Sequence, residues 1–386
     1  MRQIVVVGGS ISAVTAAESL RLEGFEGSIT IISQEVFEPY TRVPLSKAVL
    51  AGRESLDEIT LPSVSDDIDL CLGVRAVELD VSRRRLRTSS QTFGWDGLVI
   101  ATGARARRIA PELDELVVRD VGDCIALRRE VATASTVLVV GGGFLGMEIA
   151  STLNAMGKSV TVFDREPPLR RLIGESVASR VEEVARSAGV RFHVDPGGVS
   201  LFGEPGARPR GARTASGGVF EADLVVSAVG DVPNVEWLAG SGLDVMDGVK
   251  VDSRARVRDD IVAAGDVARR TTSGGGTERI PTWTNAVDQA RAAARALLRG
   301  DDAPAYDPSC YAWTEQFGLD IKVSGPWAPD ADLVAEREWW CAEGGALLRW
   351  GPEGTARRVL GWNYPVRPAQ LKRMTRSPAP LTRTRS

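Results

Sequence analysis

The chain has 386 residues, of which 43% are hydrophobic and 25% charged, and its formal net charge is −4. This length suits two or three domains, and so small a net charge gives no sign of a nucleic-acid-binding protein. The apolar runs reach only strand length, well short of the roughly 20 residues that a membrane span needs. Because an apolar strand begins within a few residues of Met1, we expect no signal peptide, no membrane association and a cytoplasmic location.

Cysteine and histidine are too scattered to form a metal or redox centre. The cysteines at 71, 124, 310 and 341 lie far apart and form no Cys-x-x-Cys pair, which argues against a zinc site, a dithiol or a disulfide framework. The single histidine, His193, lies within an apparent strand, where we expect a structural role. We therefore predict no bound metal.

The first predicted element is an apolar strand that leads into a glycine turn and a helix, in the stretch IVVVGGSISAVTAAESL. Gly8, Ser10 and Ala13 occupy the three glycine positions of the G-x-G-x-x-G nucleotide-binding pattern. A second strand over 29–32 leads to Glu35, whose carboxylate can accept hydrogen bonds from a ribose. Because two glycines are replaced by small residues, a doubly wound domain that binds no nucleotide is the alternative.

The stretch VLVVGGGFLGMEIASTLNAMGKSVTVFD repeats the same device in mid-chain. Its first glycine makes the tight turn, its second lets a pyrophosphate approach the backbone, and its third lets the helix predicted over 147–156 pack on the strand. The N-terminal N–H groups of that helix face the phosphates. A second strand over 159–163 ends at Asp164, which can accept the ribose hydroxyls. The three glycines are Gly141, Gly143 and Gly146.

Two nucleotide sites in one chain imply two nucleotides that react with each other. The common pair is a flavin and a nicotinamide, between which a hydride passes. We therefore predict an α/β protein with two doubly wound nucleotide-binding domains, in which the first turn holds FAD and the second holds NAD(P)H.

Four further stretches, together with both turns, resemble the flavoprotein ferredoxin reductases that feed bacterial oxygenases, which have the glutathione-reductase-like fold. These stretches are EPYTRVPLSK, LVIATGARARR, IVAAGDVA and TWTNAVDQARAAARALL. The resemblance implies that the NAD-binding domain (110–230) is inserted between two parts of the FAD-binding domain (1–109 and 231–300). It also implies a C-terminal α/β interface domain over 301–386.

The resemblance implies cofactor contacts for residues that lie far apart in the chain. Ala101, Thr102 and Gly103 are expected to pass close to FAD, and Asp266 to receive hydrogen bonds from its ribityl chain. The remaining cofactor contacts that it implies are Arg42, Lys47, Arg107, Gly230, Trp283 and Trp313.

The resemblance also implies a catalytic pair. Lys47 matches the lysine that reaches the flavin ring, and Glu148 matches the glutamate that pairs with it near the position of hydride transfer. The chain departs from the family at two positions nearby: Val43 replaces a proline, and Pro281 stands where a glutamate is common.

Disulfide reductases of this fold carry a cysteine pair where this chain reads TRVPLSKAVLAG. Without those cysteines, electrons would leave from the flavin itself. We therefore predict an NADH-dependent, FAD-containing reductase that passes electrons to a [2Fe–2S] ferredoxin of a bacterial oxygenase system, as a monomer or homodimer. Asp164 favours NADH because a carboxylate would repel a 2′-phosphate.

Two other functions fit the same motifs. One is an NADH oxidase or another flavin reductase that hands electrons to a small acceptor. The other is a flavin-bound signalling or assembly protein of the apoptosis-inducing-factor type.

The C-terminal part of the chain is basic and suggests where an acidic ferredoxin would dock. No Asp or Glu follows Glu353, whereas eight basic residues do. The candidates for docking are Arg357, Arg358, Arg367, Lys372, Arg373 and Arg376, whereas Arg383 and Arg385 lie in residues 382–386, which we expect to be a solvated tail. The stretch over 83–87 is an alternative basic docking surface.

Overall fold

The computed structural model describes residues 1–272, 275–308, 310–326, 344–351 and 357–375, and the backbone of 335–340. Contacts divide the chain into two compact units. Unit 1 comprises Met1–Thr41, Leu56–Arg105 and Asp231–Pro308, and unit 2 comprises Arg42–Ser55, Ala106–Gly230 and Ser309–Ser386. This grouping does not test the four domain boundaries expected from the resemblance, which stay a prediction.

The α-helices of the described residues are α1 (Ile11–Leu22), α2 (Leu56–Ile59), α3 (Val121–Val131), α4 (Phe144–Ala155), α5 (Arg170–Ile173), α6 (Glu175–Ser187), α7 (Trp283–Arg299) and α8 (Pro368–Met374).

The strands that precede the mid-chain turn are β1 (Gln3–Val7), β2 (Ser28–Ile32), β3 (Ile68–Cys71), β4 (Ala76–Asp80), β5 (Arg85–Thr88), β6 (Thr92–Gly94), β7 (Gly97–Ile100), β8 (Ala104–Ala106) and β9 (Thr136–Val140). Those that follow it up to α7 are β10 (Ser159–Asp164), β11 (Arg191–Val194), β12 (Val199–Phe202), β13 (Gly211–Thr214), β14 (Val219–Glu221), β15 (Leu224–Ser227), β16 (Asp231–Pro233), β17 (Val249–Val251), β18 (Arg256–Arg258), β19 (Ile261–Ala263), β20 (Ala268–Thr271) and β21 (Thr277–Glu278). The C-terminal strands are β22 (Tyr311–Gln316), β23 (Leu319–Ser324), β24 (Ala335–Trp340), β25 (Ala346–Trp350) and β26 (Arg358–Trp362).

Unit 1 is organised around a six-stranded sheet in the order β18-β19-β7-β1-β2-β3. Strand β1 is parallel to both β2 and β7, and β7 is parallel to β19. Strands β2 and β7 therefore lie on opposite sides of β1. In open α/β sheets, ligands bind outside the carboxyl ends of the strands where the order reverses in this way. Gly8 and Ala101 follow β1 and β7 at this point.

Small residues let helices pack closely on one face of the unit 1 sheet. Strand β1 (QIVVV) is apolar on both faces because both faces are covered. Helices α1 and α7 pack against each other and the sheet through buried alanines, which leave little distance between the backbones. These alanines are Ala13, Ala16, Ala17, Ala290, Ala293 and Ala294.

Unit 2 contains a second parallel sheet in the order β11-β10-β9-β15, which reverses between β9 and β15. It also contains an antiparallel five-stranded sheet in the order β22-β23-β26-β25-β24. Tyr311, Leu347, Val359, Val366 and Leu371 form the core between that sheet and α8. Strand β22 packs against α4, so the C-terminal sheet contacts the helix that follows the mid-chain turn.

Both predicted turns join a strand to a helix as expected. Helix α4 begins at Phe144 rather than at the predicted Met147, because Gly143 is its N-cap and the following residues already adopt helical geometry. Glu148, which the predicted helix already contained, therefore lies in the second turn of α4.

The alanine interface generates a prediction about stability. Ala290 is fully buried between α7 and α1, so Ala290→Leu should overpack it and lower the unfolding free energy by about 1–3 kcal/mol. Ala292, half-buried on the same helix, provides the matched control Ala292→Leu. Thermal unfolding of the two variants measures the difference. Equal midpoints would contradict the tight packing described here.

Candidate nucleotide and electron-transfer site

The turn after β1 brings two backbone segments into direct contact. Gly8 has φ +135°, and a Cβ at this position would lie 2.1 Å from the carbonyl oxygen of Ala101. A Cβ on Gly9 would lie 2.1 Å from Ser33 Oγ. Ser10 is the N-cap of α1 with extended backbone geometry, and Ala13 is fully buried within the helix. Gly8 therefore cannot be replaced by a residue with a side chain. Ser10 and Ala13, in contrast, are accommodated where the pattern has glycines.

The turn after β9 repeats this construction. Gly141 has φ +109°, and a Cβ there would lie 2.3 Å from the carbonyl oxygen of Ala228. A Cβ on Gly146 would lie 1.9 Å from the carbonyl oxygen of Gly141. The nearest atom to a Cβ on Gly143 is 4.0 Å away. Gly141 and Gly146 are thus needed for packing, and Gly143 leaves open space beside the N-terminus of α4.

The two acids predicted to hold ribose lie at different positions relative to their turns. The Gly8 N–H donates to the Ile32 carbonyl at 2.9 Å, and the Gly141 N–H donates to the Phe163 carbonyl at 2.7 Å. Ile32 and Phe163 therefore occupy equivalent positions at the ends of β2 and β10. The residue that follows Ile32, and so corresponds to Asp164, is Ser33 rather than Glu35. Glu35 lies two residues further along.

Both acids are held by hydrogen bonds within their own unit. Tyr40 donates its hydroxyl hydrogen to Glu35 Oε2 at 2.5 Å. Asp164 Oδ2 accepts from the Gly142 N–H at 2.5 Å, and its Oδ1 accepts from the Arg165 N–H at 2.6 Å. The Arg165 side chain donates to the Pro196 carbonyl at 3.4 Å. The carboxylate at the end of β10 thus lies against the glycine turn, as a ribose-binding acid does.

Three backbone segments of unit 1 meet at the carboxyl edge of its sheet. Residues 101–103 follow β7, and Asp266 follows the neighbouring β19. Thr102 and Asn234 exchange two hydrogen bonds, in which the Thr102 hydroxyl donates to the Asn234 carbonyl at 2.8 Å and the Asn234 amide donates to the Thr102 carbonyl at 2.9 Å. Arg279 donates to the carbonyl of Asp266 at 3.1 Å. Sequence reasoning missed Asn234 and Arg279, which belong to no recognisable motif.

The predicted catalytic pair is formed in unit 2. Lys47 Nζ lies 2.7 Å from Glu148 Oε2, and the side chains are only 15% and 8% exposed. Ser46 donates to the same oxygen at 2.6 Å, and Thr314 donates to Glu148 Oε1 at 2.7 Å. Two hydroxyls and one ammonium thus donate to this buried carboxylate, and hydrogen bonds to an ionised acceptor of this kind are shorter and stronger than neutral ones. Sequence reasoning missed Ser46 and Thr314, which carry no recognisable motif.

The other predicted cofactor residues fall in both units. Arg42 donates to the Arg119 carbonyl at 2.8 Å, and the Arg107 N–H donates to the Gly230 carbonyl at 3.0 Å. Trp283 is the first residue of α7 and is 40% exposed. Trp313 lies on β22, where Tyr311 stacks on it with ring centroids 6.0 Å apart.

The structure thus assigns the predicted residues to two groups. Unit 1 holds Gly8, Ser10, Ala13, Glu35, Ala101, Thr102, Gly103, Asp266 and Trp283. Unit 2 holds Arg42, Lys47, Arg107, Gly141, Gly143, Gly146, Glu148, Asp164, Gly230 and Trp313.

The described cysteines, at 71, 124 and 310, form no disulfide with one another, and Cys341 lies outside the described residues. Cys124 is buried in α3, with its Sγ 3.2 Å from the Leu45 carbonyl oxygen. Burial raises the pKa of the Cys124 thiol to about 11, so it is protonated at neutral pH and unreactive as a nucleophile. Burial also raises the pKa of Cys71.

His193 packs in an aromatic cluster with Phe163 and Phe220, with centroid distances of 5.3 and 4.6 Å. Among the described residues, no group of three or more His, Cys, Asp or Glu side chains could hold a metal ion. Nor is any helix in the described part of the chain both long and apolar enough to cross a membrane.

Comparison with known proteins identifies the family. Residues 2–290 match the model of the pyridine nucleotide-disulphide oxidoreductases. The chain belongs to this family. It is 33% identical to the rubredoxin-NAD(+) reductase of Pseudomonas putida over 334 residues, which cover 83% of this chain and 86% of that protein. It is 30% identical to the biphenyl dioxygenase system ferredoxin–NAD(+) reductase component of Paraburkholderia xenovorans, over 90% of this chain and 86% of the relative.

Solved structures of this oxidoreductase family match over nearly the whole chain. A ferredoxin reductase from Rhodopseudomonas palustris has a TM-score of 0.84 and 29% identity, over 94% of this chain and 91% of that one. The covalent putidaredoxin reductase–putidaredoxin complex has a TM-score of 0.83 and 25% identity, over 97% and 92%. The predicted family and fold class are therefore confirmed, and the protein is an oxidoreductase.

The second turn generates a prediction that separates packing from binding. Gly146→Ala should cost about 1–3 kcal/mol of stability, because its methyl group would overlap the Gly141 carbonyl. Gly143→Ala has room and should cost only about 0.5–1 kcal/mol as an N-cap change, yet weaken NAD+ binding about tenfold or more where a pyrophosphate approaches. Thermal unfolding and NAD+ titration measure the two effects. If Gly143→Ala binds NAD+ normally, this turn is not the site.

Proposed function

We propose that the protein is an NADH-dependent, FAD-containing reductase that passes electrons to a [2Fe–2S] ferredoxin serving a bacterial oxygenase. The observation that carries the proposal is the Lys47–Glu148 pair. Lys47 lies in the segment in which dithiol reductases of this fold carry their cysteines, and the buried Glu148 accepts from Lys47 and from the hydroxyls of Ser46 and Thr314. Because this segment has a charged residue and no dithiol, electrons would leave directly from the flavin.

The residues present fit FAD in unit 1. The Gly8 turn leaves no side chain between β1 and β7, Glu35 lies beyond the end of β2, and Asp266 lies at the same sheet edge. These residues would hold the pyrophosphate, the adenosine ribose and the ribityl chain, respectively. FAD would supply the chemistry, accepting a hydride from NADH and releasing electrons singly to a one-electron carrier.

The chain's own contribution is positioning and charge. Lys47 carries its ammonium at a site with little access to water, where a point charge acts more strongly than in bulk solvent. Glu148 fixes Nζ in place, and Ser46 fixes Glu148. Removing either charge would leave the other buried without its partner, which is strongly destabilising for such pairs.

The second turn supports NADH rather than NADPH as the electron donor. Asp164 would accept the ribose hydroxyls in place of the Gly142 N–H that it binds here. The 2′-phosphate of NADPH would lie next to this carboxylate and be repelled by it. The neighbouring Arg165, whose Nε donates to the Pro196 carbonyl at 3.4 Å, is the residue that would favour a 2′-phosphate instead.

The basic C-terminal residues support an acidic protein as the acceptor, with one correction. Arg358 was expected at the docking surface, but its side chain is 1% exposed, donates to the Leu172 carbonyl and stacks over Trp350 at 5.5 Å. Burial lowers the pKa of Arg358 to about 10, which still leaves it charged at neutral pH. Arg376, Arg383 and Arg385 lie outside the described residues. The exposed candidates are Arg357, Arg367 and Arg373.

A steady-state comparison of acceptors tests the proposed function. We expect NADH to reduce ferricyanide rapidly and to reduce cytochrome c only when a [2Fe–2S] ferredoxin is added. Rapid reduction of oxygen alone would instead identify an NADH oxidase. Slow turnover with every acceptor would favour a signalling or assembly protein.

The ribose acid generates a prediction about kinetics. Asp164→Ala should raise the KM for NADH about tenfold with little change in kcat, because a hydrogen bond to a charged group is lost equally from ground and transition states. Asp164→Asn keeps an acceptor for the Gly142 N–H and should mainly improve kcat/KM for NADPH relative to NADH. A wild-type enzyme that prefers NADPH tenfold would show that Arg165 sets the choice.

The docking surface generates a prediction about salt and charge. Ferredoxin-dependent cytochrome c reduction should fall with added salt far more than ferricyanide reduction, since the Debye length is only about 8 Å at physiological ionic strength. Charge reversal to Glu at Arg357, Arg367 and Arg373 should raise the KM for ferredoxin and leave ferricyanide turnover intact. The matched control reverses Arg83, Arg85 and Arg87. If only the reversals at Arg83, Arg85 and Arg87 raise the KM for ferredoxin, the docking surface lies at residues 83–87 instead.

A further inference from the structure

Glu148 is held at both carboxylate oxygens, by residues from two separate parts of the sequence. Its Oε2 accepts from Lys47 Nζ at 2.7 Å and from Ser46 Oγ at 2.6 Å. Its Oε1 accepts from Thr314 Oγ1 at 2.7 Å. The terminal torsion of a glutamate side chain has a broad energy minimum, so partners on one oxygen restrain the carboxylate plane only weakly. The bond from Thr314 to the second oxygen restrains it further.

The hydroxyl of Thr314 is itself directed by a second residue of β22. Gln316 Nε2 donates to Thr314 Oγ1 at 3.1 Å. A hydroxyl has one hydrogen, and since Thr314 accepts from Gln316, that hydrogen is left for Glu148. The residues are two apart on one strand and therefore share a face, and both are buried, at 0% and 3% exposure.

The hydrogen-bond chain has one consistent direction. If the Gln316 amide were turned over, its Oε1 would take the Thr314 hydrogen, and a hydroxyl lone pair would then face Glu148 Oε1. In the observed orientation the buried Oε1 of Gln316 has no hydrogen-bond partner among the residues that the structure describes, which has a free-energy cost. The arrangement thus favours donation to Glu148 over satisfaction of the amide.

We propose that Thr314 is a positioning residue for the reaction with NADH, and that Gln316 acts through it. Thr314 fixes the plane of the Glu148 carboxylate and thereby the position of the Lys47 ammonium. The inference rests on the proposed function, because it takes Lys47 and Glu148 as the groups beside the reacting nicotinamide. It assigns β22 a role in the reaction that does not depend on Trp313.

The test uses the FAD-loaded enzyme with Thr314→Val, Thr314→Ser and the matched control Thr214→Val. Thr214 is also buried in unit 2 and also loses hydroxyl hydrogen bonds, but it lies on β13. In anaerobic stopped-flow experiments at saturating NADH, Thr314→Val should slow flavin reduction about tenfold, as expected for a misplaced active-site group. Thr314→Ser and the control should stay within about twofold of wild type, and the NADH dissociation constant should change little in all three.

A crystal structure of Thr314→Val supplies a readout that does not depend on activity. It should show the Glu148 carboxylate rotated away from its position in the Thr314→Ser protein. Gln316→Met should slow flavin reduction less than Thr314→Val, and the double variant should match Thr314→Val, because residues on one path do not act additively.

The outcomes separate the inference from the proposed function. If NADH does not reduce the wild-type enzyme, the proposed function is wrong. If it does, and Thr314→Val reacts at the wild-type rate, the positioning role is wrong. Loss of FAD, weaker NADH binding or lower thermal stability in Thr314→Val, without rescue by serine, would assign Thr314 a structural role and also overturn the inference.

Discussion

Direct contact between backbone segments at the two glycine turns is the constraint on which the rest of the structure depends. In unit 1, Gly8 touches the carbonyl that follows β7, and in unit 2, Gly141 touches the carbonyl that follows β15. Neither contact leaves room for a side chain. Each contact lies where the strand order of a parallel sheet reverses, so the same feature that packs the sheet also opens a crevice in front of it. The proposed nucleotide sites would thus be a consequence of how the sheets are assembled.

The fold could be predicted because its signals are local. A buried strand, a glycine turn, a helix and a strand that ends near an acid occur within about 30 residues, and this spacing predicts a nucleotide-binding unit without further information. The Lys47–Glu148 pair was predicted only through the resemblance to ferredoxin reductases, since 101 residues separate two charges that are otherwise ordinary. The structure forms the pair as expected.

The remaining features could not be predicted because they depend on side chains brought together by tertiary packing. Thr314 and Gln316 lie in a strand whose sequence, YAWTEQ, contains nothing to distinguish a buried donor from a surface threonine. Arg358 was misread for the opposite reason. It follows the exposed Arg357 in the sequence, but it is the first residue of β26, which is buried along its whole length, and its guanidinium lies over Trp350. Charge pattern alone does not reveal which arginine of a basic segment is buried.

The division of unit 1 by the intervening segment has a consequence for folding during synthesis. Strand β7 is complete by residue 100, but its neighbour β19 and the helix α7 that covers α1 are made only after residue 260. Until the ribosome has translated this far, β7 has β1 as a neighbour on one side but no strand on the side that β19 later occupies. The alanine face of α1 is exposed to water during this time. Such edges and faces bind chaperones or neighbouring nascent chains. The residues 106–230 can pair β9, β10, β11 and β15 without any later strand, so this part of unit 2 reaches its sheet order before unit 1 does.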